Sequence, residues 1–152
     1  MKVADIMTNA SVSESPSDTL KDAAIRMWQQ QTGSLLVMDG DTLLGILTER
    51  DVMKAVAHGD DVGATPVSSV MTKDVLTVPP TMPLYQAARE MASRWIRHLP
   101  VVDGGKVVGV VSQRDLVGVL AALDHDPEGV ELPVDQLVRE RRLVRLEHGD
   151  LD

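Results

Sequence analysis

GILTERD at residues 45–51 and GVVSQRD at 109–115 follow one pattern: a glycine, two aliphatic residues, a hydroxyl residue and, three positions later, an aspartate. The copies stand 64 residues apart. The same shift, without a gap, lays VADIMT (3–8) on VSSVMT (67–72), Pro16 on Pro80, Leu20 on Leu84 and Met27 on Met91. Ala23-Ala24 falls on Ala87-Ala88, LLVMDG (35–40) on LPVVDG (99–104), and Ala57 on Ala121. Chance could align one strand. One register held over more than fifty residues is a duplication.

Each copy predicts the order β-α-β-β-α. DVLTV (74–78) is β-prone and closed by Pro79-Pro80. Residues 83–96 predict a helix opened by Pro83, with Leu84, Ala87, Ala88, Met91 and Trp95 at helical spacing. In the first copy Asp18 or Thr19 caps a helix carrying Leu20, Ala23, Ala24 and Met27. SLLVM and HLPVV then read as buried strands, each followed by a turn (DGD at 39–41, DGG at 103–105) and a second strand, LLGIL or VVGVV. The hydroxyl and the Arg-Asp pair open the last helix. One such unit buries too little surface to stand alone. The expected fold class is therefore α/β of the α+β type, two β-α-β-β-α repeats packed as one pseudo-twofold module. The expected boundaries are 1–62, 63–122 and a tail over 123–152. In that tail Pro133 can open an amphipathic helix, expected to dock on its own module or on a dimer mate, with a partner-binding or ligand-gated element as the alternative. Trp28 and Trp95 do not align with each other and read as local packing.

Composition narrows the chemistry. Of 152 residues 43% are hydrophobic, but there are only two Trp, one Tyr and no Phe, so the core must be aliphatic. Without cysteine there is neither a disulfide nor a thiolate metal site. A net charge of −8 works against nucleic-acid binding and against docking on an anionic membrane. No apolar run spans a bilayer, and MKVADIMTNA is too polar for a signal peptide, so the expected location is the cytoplasm. His58, His98, His125 and His148 are scattered without metal-ligand spacing, and no Gly-rich phosphate loop is present. No metal site, no required cofactor and no enzymatic activity are expected.

The ordered set VADIMT, LLVMDGDTLLGILTERD, VSSVMT and HLPVVDGGKVVGVVSQRD resembles the tandem cystathionine-β-synthase (CBS) domain pair, or Bateman module. The resemblance covers roughly residues 1–122. It implies a non-catalytic regulatory module that binds adenosine-containing ligands in clefts between the two copies, and frequent assembly into a disc-like homodimer.

The repeated motif suits that chemistry. A glycine in the strand lets a ligand or another backbone come close. A hydroxyl at the strand-to-helix junction, with free N–H groups and the positive end of the helix dipole, makes an anion site. An aspartate in the first turn can accept two hydrogen bonds from a ribose diol. The resemblance implies Thr48 and Ser112 for phosphate, and Asp51 and Asp115 for ribose. A Ser or Thr followed by Asp in a first turn is also an ordinary cap, and the same atoms can serve both purposes.

The sites are expected to differ. Arg97-His98 precede the second strand pair, where the first copy has Gly33-Ser34, and Pro100 is replaced there by Leu36. Cations at this step are implied to reach the phosphate; the alternative is a solvated helix terminus. The expected stronger site is therefore Ser112, Asp115, Arg97, His98 and Arg114, joined by Thr8 and Val12 from the opposite copy's lead-in. The weaker site is Thr48, Asp51 and Arg50 with Thr72 and Leu76. Val37 and Val101 are candidate linings for the adenine. The ligand expected is AMP, ADP or ATP, with S-adenosylmethionine as an alternative, and the signal is expected to pass to a regulated protein partner. A ligand-independent dimerisation or scaffold subunit is the competing reading.

Overall fold

The computed structural model describes residues 1–9 and 13–123. Val12 and the expected tail helix lie outside them. Among the described residues there are twelve short elements and two compact units. Residues 1–9, 77–104 and 108–123 form one; 13–76 with 105–107 form the other. Repeats in sequence and units in space thus divide the chain differently: each lead-in belongs to the unit built from the opposite copy.

In the second of these units β2 (Ser13–Glu14) is followed by α2 (Leu20–Gln30), β3 (Ser34–Asp39), β4 (Thr42–Thr48) and α3 (Glu49–His58). A short 3-10 turn, Val67–Ser69, leads into the Met71-Thr72 segment. The helix α2 starts where Thr19, in extended conformation, exchanges hydrogen bonds with Asp22. Of the two candidate caps, Thr19 is the one used. Leu20, Ala23 and Met27 form its buried face. They join Leu35, Val37, Leu47, Ala55 and Val67 in one aliphatic cluster, as a chain with few aromatics requires. The strands β3 and β4 pair antiparallel, Leu36 opposite Ile46 and Val37 opposite Gly45, with a bulge after Val37.

The first unit repeats this plan. After α1 (Val3–Ile6) and β1 (Thr8–Asn9) come α4 (Leu84–Arg94), β5 (His98–Asp103), β6 (Lys106–Ser112) and α5 (Gln113–Leu123). Leu84, Ala87 and Met91 form the buried face of α4, the positions that α2 buries, shifted by 64. DVLTV contributes only one parallel bridge, Val78 to Val101, in place of the expected strand.

The sheets are built alike. In one the order is β1-β6-β5, with Val78 bridged to β5. In the other it is β2-β3-β4, with Thr72 bridged to β4. Thr8 pairs with Val110 and Thr72 with Ile46, again 64 residues apart. This crossing explains the glycine of the repeated motif. A β-carbon on Gly45 would stand 2.7 Å from the Thr72 carbonyl oxygen; one on Gly109 would stand 2.7 Å from that of Thr8. Of the two uses open to the glycine, close approach of another backbone is the one seen.

The tryptophans depart from expectation. The α4 stripe ends at Met91 and the helix at Arg94, so Trp95 becomes a left-handed C-cap and is 87% exposed. Trp28 is also exposed. Neither packs in the core, because Leu84, Ala87 and Met91, like Leu20, Ala23 and Met27, already fill the buried helix faces.

Candidate functional site

Each motif ends in a closed pair at a helix start. Ser112 N and Oγ both donate to Asp115 Oδ2 at 2.8 Å, and Asp115 N donates back to Ser112 Oγ at 3.2 Å. In the other unit Thr48 N and Oγ1 donate to Asp51 Oδ2 at 2.8 and 3.0 Å, and Asp51 N returns a bond of 3.4 Å to Thr48 Oγ1. Both are reciprocal capping boxes with Asp in the third helical position. The hydroxyl-to-aspartate spacing that suggests phosphate and ribose contacts is thus also the spacing that starts α3 and α5.

The boxes differ in environment. Ser112 and Asp115 are buried, Asp115 to 4% exposure; Thr48 and Asp51 are half-buried. A buried carboxylate sits in a lower dielectric, where its hydrogen bonds and charge act more strongly. The first N–H of α5, on Gln113, donates to the Arg97 carbonyl at 2.8 Å. That bond brings residue 97 against the start of α5. Arg97 and His98 are both half-buried there, and Arg114 is exposed. Thr8, half-buried in β1, pairs with Val110, two residues before Ser112. Thr8, Arg97, His98, Ser112, Arg114 and Asp115 therefore all belong to one unit.

The other unit holds Thr48, Arg50, Asp51, Thr72 and Leu76. Arg50 and Thr72 are exposed and Leu76 half-buried. Glu49 N donates to the Gly33 carbonyl at 3.0 Å, the counterpart of Gln113 on Arg97. Here sequence reasoning passed over Glu49. Its carboxyl carbon lies 3.4 Å from where a β-carbon on Gly33 would stand. The start of α3 therefore carries two acids in its first turn, where α5 carries only Asp115. Two carboxylates at a helix N-terminus favour the helix but repel a phosphate. The signal was legible in the register, which sets Glu49 on Gln113.

Val37 and Val101 are fully buried, and Val37 belongs to the aliphatic cluster under α2. Among the described residues no group of three or more His, Cys, Asp or Glu could hold a metal ion. No helix of the described residues is long and apolar enough to cross a membrane.

Known proteins share this fold. The CBS domain model matches the chain twice, at residues 3–58 and 67–122. The CBS domain-containing protein YhcV of Bacillus subtilis is 40% identical over 115 residues, covering 75% of this chain and 81% of that protein. The solved structure of the CBS-domain containing protein ATU1752 from Agrobacterium tumefaciens superposes with a TM-score of 0.73 at 31% identity, covering 77% of this chain and 97% of that one. The CBS domain pair of protein MJ0100, solved in complex with 5′-methylthioadenosine and S-adenosyl-L-methionine, gives a TM-score of 0.74 at 26% identity, covering 80% and 96%.

Proposed function

Because the chain belongs to the CBS domain family and carries two copies in tandem, we propose that it senses an adenine nucleotide and passes the signal to a protein partner. CBS pairs are regulatory ligand-binding modules, and the similar pair of protein MJ0100 takes adenosine-containing ligands. The observation that carries the reading is the buried Ser112–Asp115 box with residue 97 bonded to the first turn of α5. The positive end of the α5 dipole, a hydroxyl and a nearby cation suit a phosphate; the Asp115 carboxylate suits a ribose. This stronger site takes AMP, ADP or ATP. The Thr48–Asp51 site, with Glu49 beside it, favours an uncharged adenosine compound or stays empty. Binding shifts the equilibrium between conformations that a partner distinguishes, and the module itself performs no chemistry.

The proposed assembly is a homodimer. Met53 and Val56 on α3, and Val117 and Leu120 on α5, are exposed at positions related by the same 64-residue shift. A twofold contact between copies would bury both faces.

Calorimetry on the full chain with AMP, ADP, ATP and S-adenosylmethionine tests the sensor. At least one ligand binds below millimolar concentration, and Asp115→Ala weakens it tenfold or more. Absence of binding by all four, or binding indifferent to Asp115→Ala, overturns the reading. One observation favours the scaffold alternative: both boxes are closed by their own hydrogen bonds. That alternative predicts a dimer that no nucleotide alters.

A further inference from the structure

The two repeats place different chemistry at one buried position. Glu14 in β2 lies opposite Val37 of β3 in a parallel pairing; Val78 lies opposite Val101 in the same way, 64 residues on. Both Glu14 and Val78 are 2% exposed. A carboxyl group thus sits where the sister unit has an alkyl one, in a two-residue strand just after the chain passes from the first unit into the second.

The surroundings suit the acid better than its anion. The Nε of Arg26 lies 2.8 Å from Glu14 Oε1, yet neither buried carboxyl oxygen has a hydrogen bond of good geometry. The Arg26 side chain is 44% exposed, and its Nη1 is engaged by the Ser13 carbonyl at 2.6 Å. The charged groups acting on Glu14 are Arg26 and Asp22 from α2 and Asp18 from the turn before it, two acids against one cation. Asp18 in turn accepts from Ser15 N at 2.9 Å. A protonated Glu14 gains an O–H for which Asp18 is the acceptor. An ionised Glu14 keeps only the half-exposed Arg26 as partner for two buried oxygens, against two neighbouring acids, which is costly. We propose that Glu14 is a proton-operated latch on β2: protonated, it holds the strand on β3; ionised, it lets the strand loosen.

Burial, reinforced by the hydrogen bond that a protonated Glu14 can give Asp18 and opposed by Arg26, pushes the Glu14 carboxyl from 4.5 up to about 7. The same hydrogen bond and that from Ser15 hold Asp18 below its ordinary range. Between pH 4.5 and about 7 the folded chain keeps a proton that the unfolded chain has released. Docking therefore weakens as pH rises through that window and levels off above it. The span corresponds to a change of about 300-fold in the opening equilibrium.

Amide hydrogen exchange on the full chain at pH 5 and pH 8, corrected for intrinsic rates, tests the latch in wild type, Glu14→Gln and Glu14→Val. The wild type is expected to lose about 100-fold of its protection in β2 and the facing part of β3 between the two conditions. Both variants are expected to keep theirs. Equal protection of the wild type at both pH values overturns the proposal, as does either variant repeating the wild-type loss. A carboxyl carbon titration of Glu14 in the wild type adds a reading that needs no variant. A midpoint near 7 supports the latch, and one below 5 overturns it. Nucleotide binding enters none of these measurements, so they stand or fall apart from the sensor.

Discussion

The carbonyl oxygen of Thr8 lies 2.7 Å from where a β-carbon on Gly109 would stand, and Met7 Sδ lies 2.8 Å from the same point. The lead-in of one copy crosses the second strand of the other so closely that only glycine fits. Gly109→Ala must push β1 off β6, because a backbone oxygen cannot swing aside as a side-chain end can. A loss of about 1–3 kcal/mol in urea unfolding is expected, with a similar loss for Gly45→Ala against Thr72. An unchanged urea midpoint for either variant would contradict the crossing.

Asp115 closes a box that Ser112 opens, so Asp115→Ala should cost stability as well as ligand. Loss of the cap is worth about 1 kcal/mol, read in thermal unfolding without nucleotide. Asp115→Asn is the sharper probe: it keeps an acceptor for Ser112 but loses the charge. It should recover part of the stability and little of the nucleotide affinity, a split visible when melting and calorimetry are compared.

Charge at the two helix starts should set the preference for phosphate. Arg97→Ala is expected to weaken ATP more than adenosine, and to reduce the salt dependence of binding. In the other unit Glu49→Gln removes an acid from the first turn of α3 and should tighten phosphate-bearing ligands about fivefold, the scale of one helix-end charge. Calorimetry with ATP and adenosine at two salt concentrations measures both. Tighter ATP binding by Arg97→Ala would reverse the assignment of the stronger site.

On the exposed faces of α3 and α5, Leu120→Lys should shift sedimentation towards monomer while leaving the melting temperature at low protein concentration nearly unchanged. Unaltered sedimentation of a dimer would place the contact elsewhere.

Asp18 raises the Glu14 carboxyl both by its charge and as a hydrogen-bond acceptor. Asp18→Asn should therefore move the Glu14 midpoint downward from about 7, narrowing the range in which stability falls with rising pH. Unfolding at a series of pH values from 4.5 to 8 reads the shift. A midpoint that rises instead would mean that Asp18 is not the acceptor.

Much of the fold was legible in the residues because a gapless register preserves everything that depends on local order. The stripe Leu20, Ala23, Met27 and its echo Leu84, Ala87, Met91 marked α2 and α4. The turns at 39–41 and 103–105 marked the hairpins. The hydroxyl and aspartate of each motif were recognisable as caps, and the structure pairs them within hydrogen-bond distance. Trp95 misled because helical spacing continues on paper after the chain has turned; only the left-handed backbone at that residue shows the end.

What the sequence determined by itself is the duplication, the order of elements in each copy and the caps that begin their helices, since these rest on neighbours a few residues apart. That each lead-in joins the opposite copy was implied by the family resemblance alone; only the tertiary structure decided the register, Thr8 on Val110 and Thr72 on Ile46, since strand pairing joins residues with no periodic relation along the chain. Position in the fold also separated the two aspartates, burying Asp115 while leaving Asp51 half-open, with Glu49 in the same first turn of α3. It turned Glu14, one acid among many in the sequence, into a carboxyl group buried inside a sheet. Burial is a property of the whole packed unit, and no window of residues contains it.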